Sequence, residues 1–245
     1  MTILVHPDAE LTAAGVAARL VARLIDVQSR RTPVHIAVTG GTLGAAIWPA
    51  LAAQPAAGAV DWTGVHVWFS DERFAPRGHP DRCDLPVVRV APGLGLPRPN
   101  IHGVPGPDEV ADVHAAAIAY AHELAAWAPA GADPAVPDVA VSILGIGPDG
   151  HVASLFPGRE EIDLAGPTTT GITGSPKPPP LRVTFTRAVL CACDELWMIA
   201  AGAEKGQAVR RALAGDDPHR TPAAGLAGRS GTWWFIDADL AGVLP

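Results

Sequence analysis

Cations, cysteines and long apolar runs are all scarce in this chain, and each shortage closes off a class of function. Lys and Arg number 18 against 25 Asp and Glu, for a formal net charge of −7. That balance argues against nucleic acid as the main partner, because a phosphate backbone needs clustered cations. An anionic ligand must instead be held by a few local cations and backbone N–H groups against the field of the whole molecule, so each well-placed Arg or Lys gains interest. The three cysteines, Cys83, Cys191 and Cys193, are too few and odd in number for a disulfide framework, and Cys-Ala-Cys inside an apolar run is poor zinc spacing. No stretch approaches the roughly 18 consecutive apolar residues that span a bilayer. The opening "MTILVHPDAE" has neither the basic flank nor the apolar core of a secretion signal. A cytoplasmic protein with no membrane partner is therefore expected. The nine histidines contain no metal-like pair, and His35, His66 and His102 read as structural, so no metal is expected either.

What is present is a globular chain: 48% of its 245 residues are hydrophobic and only 18% charged, enough to bury a substantial core. "TILVH" reads as a short strand, followed by helical spacing of Leu11, Val16, Leu20, Leu24 and Ile25 between Asp8 and about Arg30. "VHIAVTG" (34–40) is an apolar strand with a glycine stop, and "GTLGAAIWPAL" continues as a helix; "VHVWFS" (65–70) repeats the strand and ends at Asp71-Glu72-Arg73, with Trp68 read as core. Residues 75–108 are rich in Pro and Gly and read as irregular structure around at most a short helix. A helix is predicted from Ala111 to Trp127, a strand over 138–145 and a loop over 165–180. Strands follow in "LRVTFT" and "ELWMIAAG", a helix in "AEKGQAVRRALAG", a strand over 231–237 and a last helical turn in "ADLAGVL". Apolar strands alternating with helices predict an α/β fold with a mostly parallel central sheet covered by helices on both faces. No internal repeat or linker divides the chain, so residues 1–245 are expected to form one domain.

Ligands of open α/β sheets bind beyond the carboxyl ends of the strands. Four such ends carry unusual residues: "TGGT" (39–42), "SDER" (70–73), "GIGPDGH" (145–151) and "AGAEK" (201–205). Gly40 and Gly41 allow close backbone approach, and Thr42 stands where it can cap a helix or bond a phosphate oxygen. The segment is not a P-loop, since the Gly-Lys-Ser/Thr ending is missing. Arg73 can grip a phosphate or carboxylate bidentately, with Asp71 and Glu72 as orienting partners or as members of a surface ion-pair cluster. Gly145, Gly147 and Gly150 permit close approach and positive φ around His151, which with an ordinary pKa of about 6.5 can take a proton from water. Asp149 either orients that imidazole or serves the turn. No Gly-x-Ser-x-Gly elbow exists, and Ser154 falls where a helix is expected to begin, so a serine nucleophile is poorly supported.

Together, "VTGGT", "VHVWFSDERF", "LGIGPDGHVASLFPG", "SPKPPPLRVTFT" and "AAGAEKGQAVRRAL", in this order across about residues 34–213, resemble the 6-phosphogluconolactonase family. The resemblance implies a Rossmann-like α/β fold shared with glucosamine-6-phosphate isomerases. It also implies hydrolysis of 6-phospho-D-glucono-1,5-lactone to 6-phosphogluconate, in the oxidative pentose phosphate pathway, without metal or organic cofactor. Carried over residue by residue, it implies His151 as general base and Gly40, Gly41 and Thr42 as the phosphate-proximal loop. Arg73, Arg182 and Lys205 would be the cations around a small sugar-phosphate substrate, beside Asp71 and Gly147. Read without the resemblance, Arg182 is an ion pair at a strand start and Lys205 a solvated helix residue. The chain departs from the family pattern at Cys83, where an Asn is usual, and at Pro86, Val152 and Leu181. Two other functions differ in the residues they require. The deaminase branch needs a Glu after the Asp-Gly-His block, where "ASLFPG" stands here; a non-catalytic sugar-phosphate sensor has no need of His151. A monomer or small homo-oligomer is expected.

Overall fold

Near-continuous apolar runs rich in Val, Ile, Ala and Trp make strands that must be covered on both sides, and the helices between them supply the cover. The computed structural model describes residues 1–244. In chain order it contains β1 (Thr2–His6), α1 (Ala9–Gln28), β2 (Val34–Val38), α2 (Gly41–Ala52), β3 (Val65–Phe69), β4 (Asp71–Arg73), α3 (Leu85–Leu94), β5 (Ile101–His102), α4 (Val113–Ala126), β6 (Val139–Gly145), β7 (Thr169–Ile172), β8 (Arg182–Phe185), α5 (Arg187–Cys191), β9 (Cys193–Ala200), α6 (Gly206–Leu213), β10 (Gly231–Asp237) and α7 (Ala238–Ala241). Seven strands form one sheet in the order β1-β10-β9-β6-β2-β3-β5, and every pairing in it is parallel.

The alternation along each strand divides the core in two. Ile36, Val38, Val67, Phe69, Trp197 and Ile199 point toward α1, α2 and α3, whereas Ala37, Trp68, Leu196, Met198 and Ala200 point toward α4, α6 and α7. Trp68 is fully buried, as expected, and stacks on His102 with ring centroids 3.8 Å apart. Asp8 caps α1 by accepting the Leu11 N–H, and Asp112 caps α4 by accepting the N–H groups of His114 and Ala115, which trims the α4 expectation to 113–126. Pro86 is tolerated because it falls in the first turn of α3, where its missing N–H has no intrahelical partner.

Three expectations need correction. Asp71–Arg73 does not merely end β3. The segment is itself a strand in a second, three-stranded antiparallel sheet of order β4-β8-β7. The 165–180 loop contains β7, which reads poorly in sequence because Thr169–Ile172 includes Gly171, packed where a Cβ would meet the Val113 carbonyl and His114. No helix begins at Ser154; residues 151–156 form tight turns with isolated bridges Ile146–Val152 and Val152–Leu155. Ala153 there adopts φ 49°, a left-handed conformation unusual for a residue with a Cβ.

Candidate active site

From β2 the chain moves to β3 on one side of the sheet, and from β6 it moves to β9 on the other, so the adjacent carboxyl ends of β2 and β6 form the topological switch point. The segments "TGGT" and "GIGPDGH" leave the sheet there. Between them lies a cleft of about 210 Å³, walled also by Asp71, Arg73, Lys177, Arg182 and Lys205. Gly40, Gly41, Thr42, Gly147 and His151 line it too. All the predicted site residues except Asp149 therefore face one space, and Asp149 lies directly behind His151.

His151 Nδ1 is 2.5 Å from Asp149 Oδ1, and the His151 N–H reaches the same oxygen at 3.4 Å, so Asp149 both orients the ring and closes the turn. With Nδ1 turned to the carboxylate, Nε2 is the nitrogen left to act on a ligand. The ring is stacked on buried Phe156 at 4.8 Å between centroids. Opposite, a Cβ on Gly147 would run into the ring, so glycine is required there by close approach. Burial opposes the Asp149 charge, but the bond to His151 and the neighbouring Lys177 ammonium hold its carboxyl well below the usual carboxylate range. Lys177 Nζ lies 3.1 Å from His151 Nδ1 and 3.4 Å from Asp149 Oδ1. The sequence gives no sign of this lysine's place: "SPKPPP" stands out as a motif, but nothing local indicates that its ammonium folds back onto residue 151.

On the other side of the cleft, α2 starts at Gly41 with Gly40 as N-cap and no capping side chain. Thr42 is thus inside the first turn and does not cap. The turn presents backbone N–H groups and the positive end of the helix dipole to the cleft. Gly41 has φ 77°, and a Cβ on Gly40 would strike the Cys83 sulfur, so the departure at Cys83 supports this loop from beneath. Burial raises the Cys83 thiol well above its ordinary value, which makes it a small apolar wedge and a poor nucleophile. Glu72 turns away from the cleft. It is fully buried and accepts the N–H groups of Arg73, Cys83 and Asp84 at 2.8, 2.7 and 3.0 Å, fixing the loop that carries Cys83.

Arg73 bonds the Asp81 carbonyl through Nη1 and keeps a buried Nε without a partner. Lys205 follows the turn at Gly202, whose N–H is held by both carboxylate oxygens of Asp237 at 3.1 and 2.9 Å; burial lowers the lysine's pKa. Arg182 is turned largely toward the 177–179 segment. The cleft can therefore hold an anion at its glycine end and offer an imidazole nitrogen at the other. Among the described residues, no group of three or more His, Cys, Asp or Glu side chains is arranged to hold a metal ion, and no helix is long and apolar enough to cross a membrane.

The chain is similar to known proteins over nearly its whole length. The family described as glucosamine-6-phosphate isomerases/6-phosphogluconolactonase matches residues 7–234. The 6-phosphogluconolactonase of Streptomyces coelicolor is 40% identical over 246 residues, covering 99% of this chain and 94% of that protein. Its namesake in Mycobacterium tuberculosis is 36% identical over 248 residues, covering 100% and 98%. The solved structure of 6-phosphogluconolactonase from Trypanosoma brucei shares the fold, with a TM-score of 0.85 over 100% of this chain and 98% of that one at 24% identity. The chain belongs to the glucosamine-6-phosphate isomerase/6-phosphogluconolactonase family.

Proposed function

We propose that this protein hydrolyses 6-phospho-D-glucono-1,5-lactone to 6-phospho-D-gluconate. The observation that carries the reading is the Asp149–His151 pair, 2.5 Å apart at one wall of a cleft whose other walls are a helix N-terminus and cations. The names of the full-length relatives support the same substrate. A phosphosugar lactone needs an anchor on its phosphate, an activated water and compensation for the charge that develops on the carbonyl oxygen.

In this reading the α2 N-terminus with Gly40, Gly41 and Thr42, together with Arg73 and Lys205, holds the phosphate; Asp71, Gly147 and Arg182 complete the substrate walls. His151 Nε2 takes a proton from water as its oxygen bonds to C1. The tetrahedral intermediate then expels the ring oxygen, which receives that proton from His151, so the imidazole returns to its neutral form. Asp149 steadies the imidazolium in between. Lys177, 3.1 Å from His151 Nδ1 and in the cleft wall, adds positive charge to the site as the carbonyl oxygen becomes anionic. Each step uses groups of this chain and water alone, and the reading assigns no cofactor. It further takes residues 1–245 as one domain working in the cytoplasm on a small molecule, as a monomer or small homo-oligomer, with neither nucleic acid nor membrane as partner.

The test is the hydrolysis rate of freshly made lactone, corrected for its spontaneous opening. Wild type is expected to accelerate it strongly, and folded His151→Ala to lose on the order of 10²–10⁴-fold in kcat. A wild type that binds 6-phosphogluconate without accelerating hydrolysis overturns the reading in favour of a sensor.

A further inference from the structure

Arg182 lies in the wall of the cleft, yet most of its guanidinium is committed to the protein. Nε donates to the Pro179 carbonyl at 3.2 Å, and Nη2 donates to the carbonyls of Lys177 at 3.2 Å and Pro178 at 3.0 Å. The remaining nitrogen, Nη1, is 3.8 Å from Asp71 Oδ2, and the side chain is 5% exposed. Asp71 in turn accepts the Ser154 hydroxyl at 2.7 Å, and the Ser154 N–H donates to Thr184 Oγ1 at 3.2 Å. These residues sit on a register: Asp71 pairs with Thr184 and Arg73 with Arg182 across the β4–β8 ladder. The small sheet therefore joins two features of the site. One is the turn that runs from His151 through the left-handed Ala153 to Ser154. The other is the proline-rich segment that carries Lys177.

A guanidinium has five N–H groups in a fixed fork, and three of those here are spent on the carbonyls of one segment. Such an arrangement fixes the segment more than it recognises a ligand. We propose that Ser154, Asp71 and Arg182 form a positioning chain that sets Lys177 against the Asp149–His151 pair, so that Arg182 serves the reaction through Lys177 and not as a phosphate anchor. The inference builds on the hydrolase reading for its kinetic readout and revises the role that reading gives Arg182 and Asp71.

The two roles separate in a mutant cycle. Loss of a phosphate anchor raises KM, whereas a displaced Lys177 lowers kcat. Ser154→Ala and Arg182→Lys are each expected to lower kcat on the order of 10- to 100-fold, with KM within about threefold of wild type. In a Lys177→Met background the same two changes are expected to cost less than about twofold, because what they position is gone. The proposal is overturned if Arg182→Lys raises KM strongly while kcat holds, or if its loss multiplies in full with that of Lys177→Met. Should Arg182→Lys fail to fold, Ser154→Ala, which removes one hydroxyl, decides by the same cycle. If wild type does not hydrolyse the lactone, the reaction assignment fails by itself. The cycle is then read on the Kd of 6-phosphogluconate, where coupling to Lys177 keeps the chain and full additivity removes it.

Discussion

His151 owes its geometry to a glycine. Because a Cβ at position 147 would meet the imidazole, Gly147→Ala is expected to tilt the ring and cut kcat on the order of 10²-fold, with little change in KM. Gly41→Ala is the contrast. Nothing stands within 4 Å of the added Cβ, but φ is 77°, so the change is expected to cost about 1 kcal/mol of stability through backbone strain. The kcat values and thermal unfolding of the two variants separate the effects, and an equal loss of kcat in both would contradict the close-approach argument. The glycines around His151 were legible in sequence because a turn advertises itself in residue type. Lys177, Phe156 and Ser154 were not, since a lysine between prolines, a phenylalanine after a leucine and a serine after an alanine carry no mark of where they end up.

The elements differ in how legible they are in sequence for similar reasons. The long parallel strands and α1 announce themselves by period, while β4 and β7 are 3 and 4 residues long and hold no pattern of their own. They become strands only because β8 lies between them. The strands β2, β3 and β5 also carry a buried cluster. His66 Nδ1 is 2.8 Å from His102 Nε2, His102 Nδ1 is 2.6 Å from Glu123, and His35 Nδ1 accepts the Trp68 indole N–H at 3.1 Å. Burial first, then the neighbouring histidines, lowers His35 to about 3 and His66 to about 4 from 6.5. Both stay neutral in the fold while the unfolded chain protonates them below 6.5, so stability is full above that pH and falls as pH drops toward 4 and then 3. Each histidine contributes a slope of about 1.4 kcal/mol per pH unit in its window. Melting temperature measured from pH 7 to 4 is expected to fall, and the fall is expected to be shallower by about one proton in His66→Gln. An unchanged slope in that variant would show that the acid sensitivity lies elsewhere.

Taken as a whole, the molecule is an acidic body that concentrates cations at one crevice. A ligand that binds the native state alone stabilises it by mass action, about 2.7 kcal/mol at one hundred times its Kd. For a chain of this length that corresponds to a rise in melting temperature of roughly 5–10 °C. 6-Phosphogluconate is expected to produce it and gluconate is not, since the proposed function gives the phosphate to the glycine loop, Arg73 and Lys205. Equal shifts with both would mean that the phosphate end of the cleft is misassigned.

The amino-acid sequence by itself determined the α/β class, the two-sided burial of the strands, the glycine turns at their carboxyl ends and the family, because these follow from residue type, period and order along the chain. Only the tertiary structure decided the second sheet, the backing of His151 by Phe156, the wedge of Cys83 under Gly40 and the commitment of Arg182 to the Lys177 segment. Phe156 and Arg182 lie within five positions of their partners, in turns whose course residue type does not fix, whereas 83 positions separate Ser154 from Asp71 and 26 separate Lys177 from His151. Whether two such groups meet depends on how the sheets and loops pack between them, and no local pattern encodes that distance.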